Sequence, residues 1–241
     1  LYKILLFKIV AVRKNNPWNK GLTKFLSPEV MKISETLASK EESNFFHWQQ
    51  KNKKTYQKIR KDEKLAELIG VTLGDGHIEK FPRAERLVIS GNSKNIGFTK
   101  RYSDLIKDIF KKNPTVLKIK NKNCVKISIY EKFISQRLGI MTGNRSDYKV
   151  EIPAWILKSK KNIIGYLRGL YEAEGSFHVH KPTFTYKMYF SNKNQTILNN
   201  VSYLLGWLGF YSSQGRCQVQ ISRKDEVFDF KKLILFREYK I

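Results

Sequence analysis

From Leu65 onward the hydrophobic pattern alternates between a helical and a strand-like period, and it does so twice. One helical stretch contains Leu68-Ile69-Gly70-Val71-Thr72-Leu73-Gly74-Asp75-Gly76, and another contains Leu167-Arg168-Gly169-Leu170-Tyr171-Glu172-Ala173-Glu174-Gly175. Aligning Gly70 on Gly169 places Gly74 on Ala173, Asp75 on Glu174 and Gly76 on Gly175, with the copies 99 positions apart. The residues downstream of the two copies also correspond. After the first come strand-like residues ending in Arg86–Ser90, a helix over Asn95–Phe110, strands over Thr115–Lys120 and Val125–Tyr130, and a helix over Glu131–Leu138. After the second come Phe177–His180, Tyr186–Ser191, a helix over Gln195–Leu208, strands near Tyr211–Gln214 and Cys217–Ser222, and a helix over Lys224–Leu235. Each unit therefore reads helix, two strands, helix, two strands, helix, which predicts an α+β fold built from two αββαββα repeats. Between them, Asp147–Lys161 interrupts the period and predicts a linker.

The strands alternate in one sense. Val125, Ile127 and Ile129 point one way, while Lys126, Ser128 and Tyr130 point the other. Cys217, Val219 and Ile221 alternate with Arg216, Gln218, Gln220 and Ser222. Lys118, Lys120 and Lys122 share one face, as do Lys187 and Tyr189. These polar faces carry the donors that proteins use on phosphates and base edges.

Residues 1–64 lack this order and read as a basic extension, ahead of repeats over 65–146 and 162–241. Turn chemistry gathers at Asn15–Gly21, and a short helix is predicted after Ser27, with Ser27 as N-cap, Pro28 at the first helical position and Leu26 packing on Met31. A second helix is predicted through Phe45–Arg60.

Charge then narrows the partner. The 241 residues hold 46 Lys and Arg against 21 Asp and Glu, a net charge of +25, with an ordinary 41% of hydrophobic residues. That composition suits a folded domain whose self-repulsion a polyanion relieves, which makes nucleic acid or an anionic membrane the default partner. No apolar run approaches the roughly 20 residues that a membrane span requires. The opening Leu1–Val10 stretch is short and interrupted by Lys3 and Lys8, so it is read as a strand or helix edge, not a signal peptide. Two cysteines, Cys124 and Cys217, suit an intracellular, reducing compartment and are expected as buried free thiols.

The two aligned helices carry small residues four apart, Gly70 with Gly74 and Gly169 with Ala173. Glycine in a helix costs about 1 kcal/mol against alanine, so close contact between the two helices is the expected reason. Gly76 and Gly175 resemble C-terminal caps. Each helix ends in an acid, Asp75 and Glu174, where a carboxylate opposes the helix dipole. Two such acids brought together are unfavourable unless cations bind them, and a hard divalent ion such as Mg²⁺ resolves the conflict.

These residues resemble the duplicated motifs of LAGLIDADG homing endonucleases in their single-chain, two-motif form, and Ile152-Pro153 with Trp155-Ile156 resembles that family's inter-repeat linker. The resemblance spans about residues 65–236. It implies pseudo-symmetric halves, with the motif helices packed at the centre and two sheets forming a saddle over DNA. It further implies metal-dependent double-strand cleavage leaving 3′ overhangs, in a long asymmetric target.

On that carry-over Asp75 and Glu174 are the catalytic metal ligands, helped by the backbone carbonyls of Gly74 and Ala173. Two or three Mg²⁺ or Mn²⁺ ions are expected at the motif-helix ends. Asn92 and Asn192 are candidates for orienting water, and Lys94 and Lys193 for stabilising charge. The expected DNA face comprises Arg86, Lys118, Lys120, Lys122, Lys126 and Ser128 in the first repeat. In the second it comprises His178, His180, Lys187, Tyr189, Arg216, Gln218, Gln220 and Arg223. Pro17–Lys24 resembles the small modular DNA-binding motifs appended to such nucleases, which implies contacts from Trp18, Lys20 and Lys24.

Other residues attract attention and are read more plainly. His178 and His180 share a strand face without the acids or thiols of a zinc site. His77 comes directly after the first motif and suits either a phosphate contact or a structural role. Arg168, Tyr171 and Glu172 are expected to face away from the partner helix, and Trp155, Trp207 and Phe210 to be core. The expectation is a monomeric nuclease acting on double-stranded DNA. Its rivals are an RNA-splicing maturase that binds its own intron RNA, a non-cutting DNA-binding protein on the same scaffold, and the nuclease domain of an intein.

Overall fold

The structure, a computed structural model, describes residues 17–39, 58–143 and 148–239. They fall in two units divided between Gln57 and Lys58, each described by itself.

In the first unit, Pro17–Gly21 forms turns, with Lys20 N–H donating to the Pro17 carbonyl at 3.0 Å and Gly21 at φ +82°. Helix α1 (Pro28–Ala38) starts as its sequence predicts, with Ser27 Oγ accepting from Val30 N–H at 3.4 Å. The expected staple is absent: Leu26 and Met31 are both exposed. The predicted helix through Phe45–Arg60 lies outside the described residues, save positions 58–60, which are not helical.

The second unit holds the two repeats. The first runs α2 (Glu63–Gly74), β1 (Gly76–Lys80), β2 (Glu85–Gly91), α3 (Ile96–Phe110), β3 (Thr115–Lys118), β4 (Val125–Glu131) and α4 (Ile134–Leu138). A one-turn helix α5 (Ala154–Leu157) comes next. The second repeat runs α6 (Lys160–Glu174), β5 (Gly175–His180), β6 (Thr185–Ser191), α7 (Gln195–Trp207), β7 (Ser213–Gln214), β8 (Gln218–Ile221) and α8 (Lys224–Leu233). Each repeat folds its strands into one antiparallel sheet, in the orders β1-β2-β4-β3 and β5-β6-β8-β7.

One hydrophobic core joins the repeats. Helix α2 is buried at every position from Leu65 to Leu73, and α6 from Tyr166 to Glu172, so these two helices are the centre. They touch through backbone. A Cβ placed on Gly70 would lie 2.2 Å from the Tyr166 carbonyl oxygen, and one on Gly169 would lie 2.1 Å from that of Glu67. Only glycine permits this approach, which is why each helix accepts its propensity cost.

Such burial also forces charges to be matched. Glu67 accepts two bonds from Arg101, at 2.6 and 2.9 Å, and Arg168 Nη1 reaches Glu63 at 3.1 Å and Glu67 at 3.4 Å. Arg168 therefore turns toward the partner helix, contrary to expectation, because two acids of α2 wait there. Tyr171 does pack away, against Phe190 and Phe230. Glu172 is buried too, held by the returning C-terminal segment through Arg237 N–H at 2.6 Å and Tyr239 Oη at 2.5 Å.

The strand faces obey the expected alternation where pairing is regular. Val125, Ile127 and Ile129 are buried, as are Val219 and Ile221. Elsewhere four expectations fail. Strand β3 stops at Lys118, because Asn121 takes a left-handed φ of +58° and Lys120 and Lys122 fall in the hairpin turn. Helix α4 begins three residues late, since β4 extends through Glu131. Cys217 precedes β8 and is exposed, and Cys124 is only half-buried, so neither is the expected buried thiol. Trp207 is 49% exposed, although Trp155 and Phe210 do pack on the core. Residues 144–147, including the start of the expected linker, lie outside the described residues, and α6 begins inside that linker's predicted end.

Candidate active site

The glycine contact that pairs the helices also delivers their last residues to one place. A Cβ on Gly74 would lie 2.4 Å from Ala173 Cβ and 3.1 Å from Glu174 Cγ, so the two helix ends cross at the acids. Asp75 caps α2 with its N–H donating to Val71, and Glu174 is the last residue of α6. Gly76 and Gly175 then start the strands. Gly175 is the C-cap of α6, as expected, with its N–H donating to the Tyr171 carbonyl, whereas Gly76 lies one residue beyond the cap of α2; neither has a left-handed φ. Glycine is needed there for closeness: a Cβ would lie 2.5 Å from Thr72 Cα at Gly76, and 2.4 Å from the Tyr171 carbonyl oxygen at Gly175.

Asp75 is exposed and Glu174 half-buried. Among the described residues neither carboxylate accepts a hydrogen bond or pairs with a cation, in a chain carrying 46 Lys and Arg. The neighbouring acids Glu63, Glu67 and Glu172 are all satisfied. Although Asp75 keeps solvent access, desolvation of its carboxyl and then the charge of Glu174 push it up to about 7, and burial raises Glu174 as well.

This arrangement fits a hard divalent cation. Two uncompensated carboxylates meet beside the backbone oxygens of the helix ends, and a bound cation reverses the repulsion between them. Among the described residues no group of three or more His, Cys, Asp or Glu could hold a metal, so an ion here would complete its shell with water or substrate phosphate. Gly74 ends α2 and Ala173 is the penultimate residue of α6, so both lie beside the acids in the chain.

The raised carboxyl makes stability depend on pH. Folded Asp75 keeps a proton up to about pH 7, whereas the unfolded group loses it near 3.8. The native state thus binds more protons across that window, and stability falls as pH rises through it. Thermal melts without divalent cation should show Asp75→Asn more stable than wild type at about pH 8, with the two converging near about pH 4. Added Mg²⁺ should raise the melting temperature of wild type and leave the variant little changed.

Both sheets present a polar, solvent-facing row that starts at an acid. Ser90 N–H donates to the Asp75 carbonyl at 3.1 Å, and Ser90 pairs with Lys126 on β4, so Asp75, Ser90 and Lys126 align across the sheet. In the second repeat Ser191 pairs with Gln218, and the pairing of Gly175 with Phe190 brings Glu174, one residue before it, to the end of that row. Lys126 and Gln218 are expected on a DNA face from strand alternation, whereas their register with the acids follows only from strand pairing.

The remaining candidates divide. Ser128 lies on the same face as Lys126, and Lys118, Lys120 and Lys122 line a hollow at the β3–β4 hairpin tip. His178, His180, Lys187 and Tyr189 line a hollow on the second sheet, with Gln220 paired to Tyr189, and Arg216 sits in the β7–β8 turn. The two histidines bond to Ser176 at 3.1 Å and Thr183 at 2.7 Å, within no metal cluster. His77 is exposed beside Glu79.

Arg86 is already engaged, ion-paired to Glu79 at 2.5 Å and bonded to Tyr130 at 3.2 Å. Arg223 pairs with Glu226 at 3.0 Å and covers the Tyr211 ring. Asn92 and Asn192 use their side-chain oxygens on the N–H groups of Lys94 and Asn194, at 3.0 and 2.8 Å. They shape the turns into α3 and α7, at the strand ends that return toward the acids, while Lys94 and Lys193 are exposed in those turns. In the first unit Trp18, Lys20 and Lys24 are exposed.

Comparison with known proteins bears on the fold that carries this site. The family model of the LAGLIDADG-like domain matches residues 161–234. The crystal structure of I-DmoI in complex with DNA and Mn is similar at 20% identity and a TM-score of 0.52, covering 74% of this chain and 98% of that one. That of I-DmoI with DNA and Ca is similar at 20% identity and a TM-score of 0.50, covering 72% and 89%. Full-length DUF199/WhiA from Thermatoga maritima is similar at 17% identity and a TM-score of 0.52, covering 74% of this chain and 56% of that one. No curated protein sequence matches the chain. At these identities the structural likeness concerns the fold. Residues 161–234 match the LAGLIDADG-like domain, and the two-repeat body that contains them has the LAGLIDADG fold seen in I-DmoI.

Proposed function

We propose that this protein is a site-specific endonuclease that cuts both strands of double-stranded DNA with Mg²⁺ or Mn²⁺ and leaves 3′ overhangs. The observation that carries this reading is the pair of unsatisfied carboxylates, Asp75 and Glu174, converging at glycine-packed helix ends in a chain of net charge +25. A protein that only bound DNA would gain nothing from two uncompensated anions beside phosphates. I-DmoI, which shares the fold, crystallises with DNA together with Mn or Ca.

The residues divide the work. Lysines of the β3–β4 tip and the polar rows of both sheets neutralise phosphates and set the register on the duplex. The two sheets carry different side chains at equivalent places, Lys126 against Gln218 and Ser128 against Gln220, which suits a long target without two-fold symmetry. Asp75 and Glu174 hold divalent cation, which when bound lowers the pKa of water and stabilises the leaving oxygen of a phosphodiester. The rigid helix crossing fixes the spacing of the acids, one for each strand. Asn92, Asn192, Lys94 and Lys193, in the turns near the acids, orient water and offset charge around the scissile phosphates.

Lys126 shares a row with Asp75, a position from which its ammonium can offset charge there. Lys126→Met should slow cleavage about 10- to 100-fold while duplex affinity changes little beyond one lost phosphate contact. Single-turnover cleavage beside a binding titration separates the two effects. Equal losses in both would reduce Lys126 to a binding residue.

The enzyme reading itself is tested by selecting cleaved members from a random-sequence duplex library in Mg²⁺. Recovery of one long consensus with 3′ overhangs is expected. Retention of bound but intact duplex would identify a binding protein instead.

A further inference from the structure

Helix α6 is gripped along one face by the chain that follows α8. Arg168 Nε donates to the Ile234 carbonyl at 2.7 Å. Four residues on, Glu172 accepts from Arg237 N–H at 2.6 Å and from Tyr239 Oη at 2.5 Å. Three further on, the Gly175 carbonyl accepts from Arg237 Nη2 at 3.2 Å. Positions four and three apart share a helix face, so these bonds form one seam, and it ends on the residue directly after Glu174.

The backbone of the gripping segment is shaped for this seam. Leu235 and Arg237 both take left-handed φ values, +50° and +54°, which residues with a Cβ disfavour. Leu235 closes α8 in a Schellman turn, with Phe236 N–H donating to the Lys231 carbonyl at 3.0 Å and Leu235 N–H to that of Lys232 at 3.2 Å. The second left-handed residue, Arg237, then turns the chain so that its own N–H meets Glu172. Phe236 is buried beside it, and Tyr239 reaches the first repeat. A Cβ on Gly97 would lie 2.4 Å from Tyr239 Cδ2, and Asn95 Nδ2 donates to Tyr239 Oη at 3.3 Å. The segment therefore ties the end of α6 to the start of α3.

The first repeat serves as an internal control. The offset of 99 that aligns the motif helices places Ile69 on Arg168 and Leu73 on Glu172, and both are buried aliphatic side chains. A motif helix thus enters this core with apolar residues at those positions. A buried Arg and Glu demand partners that aliphatic side chains do not, and replacing such charges by apolar groups is often neutral for stability. What the polar set adds is direction: it holds the last turn of α6 in one place.

We infer that Arg237 and Tyr239 are positioning residues for Glu174, fixing the end of α6 and thereby the rate of the one strand cut that Glu174 serves. Asp75, at the end of α2, follows the apolar Ile69 and Leu73 instead, so the other cut does not depend on this seam. The inference rests on the nuclease reading, in which each acid serves one strand. Both residues act through Glu172 and the Gly175 backbone, and neither has to touch DNA or metal.

Strand-resolved single-turnover cleavage tests this, on the duplex recovered from the random library and labelled on either strand. Tyr239→Phe keeps the ring over Gly97 and removes the hydroxyl, whereas Arg237→Met removes the bond to Gly175. Each should slow one strand about 10-fold, the same strand for both variants, and leave the other within about twofold, so that nicked duplex accumulates. Arg237→Lys, whose ammonium can still donate to Gly175, should recover most of that rate. Equal slowing of both strands would show that the segment only supports the fold and would overturn the inference, as would unchanged rates on both. Hydrogen exchange reads the same claim without cleavage: in Tyr239→Phe, residues 171–177 should lose protection while residues 72–78 keep theirs. Loss in both stretches, or in neither, overturns it. A wild type that cuts neither strand would end the nuclease reading and leave exchange to decide whether the segment holds Glu174.

Discussion

Replacing Asp75 by Asn is expected to lower double-strand cleavage on the order of 1,000-fold or more, at least ~4 kcal/mol of transition-state stabilisation. Glu174→Gln is expected to do the same. Each exchange keeps the shape of the side chain while removing the negative charge that a hard cation needs. The effect should be confined to chemistry. The Asp75 carboxylate has no hydrogen-bond or ion-pair partner among the described residues whose loss would unfold the site, and it is held at about 7 by desolvation and the nearby Glu174. Losing that charge relieves repulsion in the cation-free protein and removes an anion from beside the phosphates. Duplex binding should therefore persist or strengthen slightly in EDTA. Cleavage and binding of the same labelled duplex give both quantities, and a parallel fall in affinity would show that the acids shape the DNA surface instead.

The second large effect is on stability. Gly169→Ala places a Cβ 2.1 Å from the Glu67 carbonyl oxygen and 2.6 Å from the Val71 nitrogen. Both neighbours are helix backbone, so relief requires α2 and α6 to separate along the centre of the core. Alanine gains about 1 kcal/mol of helix propensity, but overpacking of this kind costs ~3 kcal/mol or more, and the clash decides the sign. Gly70→Ala meets the Tyr166 carbonyl oxygen at 2.2 Å and should behave alike. Gly206→Ala is the control: with nothing within 4 Å, it should raise the melting temperature through propensity alone. If Gly169→Ala and Gly206→Ala shift the melt in the same direction, the tight helix crossing is wrong. Surviving Gly169→Ala protein should also cut slowly, because Asp75 and Glu174 ride on the ends of those helices.

The duplicated order of helices and strands was legible in the hydrophobic period, which reflects local geometry that tertiary packing here reinforces. The convergence of Asp75 and Glu174 was legible for a different reason: small residues four apart in both helices, Gly70 with Gly74 and Gly169 with Ala173, already pointed to a close crossing just before the acids. The features that stayed hidden depend on neighbours remote in sequence. Arg168 looked misplaced for a central helix, and only Glu63 and Glu67 across the crossing explain its burial. The row linking Asp75, Ser90 and Lys126 is a matter of register, which the alternation of one strand does not contain. The ion pair of Arg86 with Glu79, its cross-strand partner, is likewise a matter of register. Trp207 illustrates the converse. A tryptophan in an apolar helix suggests core, yet the inward stripe of α7 is filled by Ile197, Val201, Leu204 and Leu205 and leaves the ring outside.

The central claim is that two acids at a glycine-packed crossing make this fold a nuclease. It is tested most directly by incubating wild type, Asp75→Asn and Glu174→Gln with the duplex recovered from the random library, in Mg²⁺, and mapping the ends on both strands. The account predicts paired breaks with 3′ overhangs from wild type and intact, bound duplex from either variant. Paired breaks from either variant at the wild-type rate would contradict it.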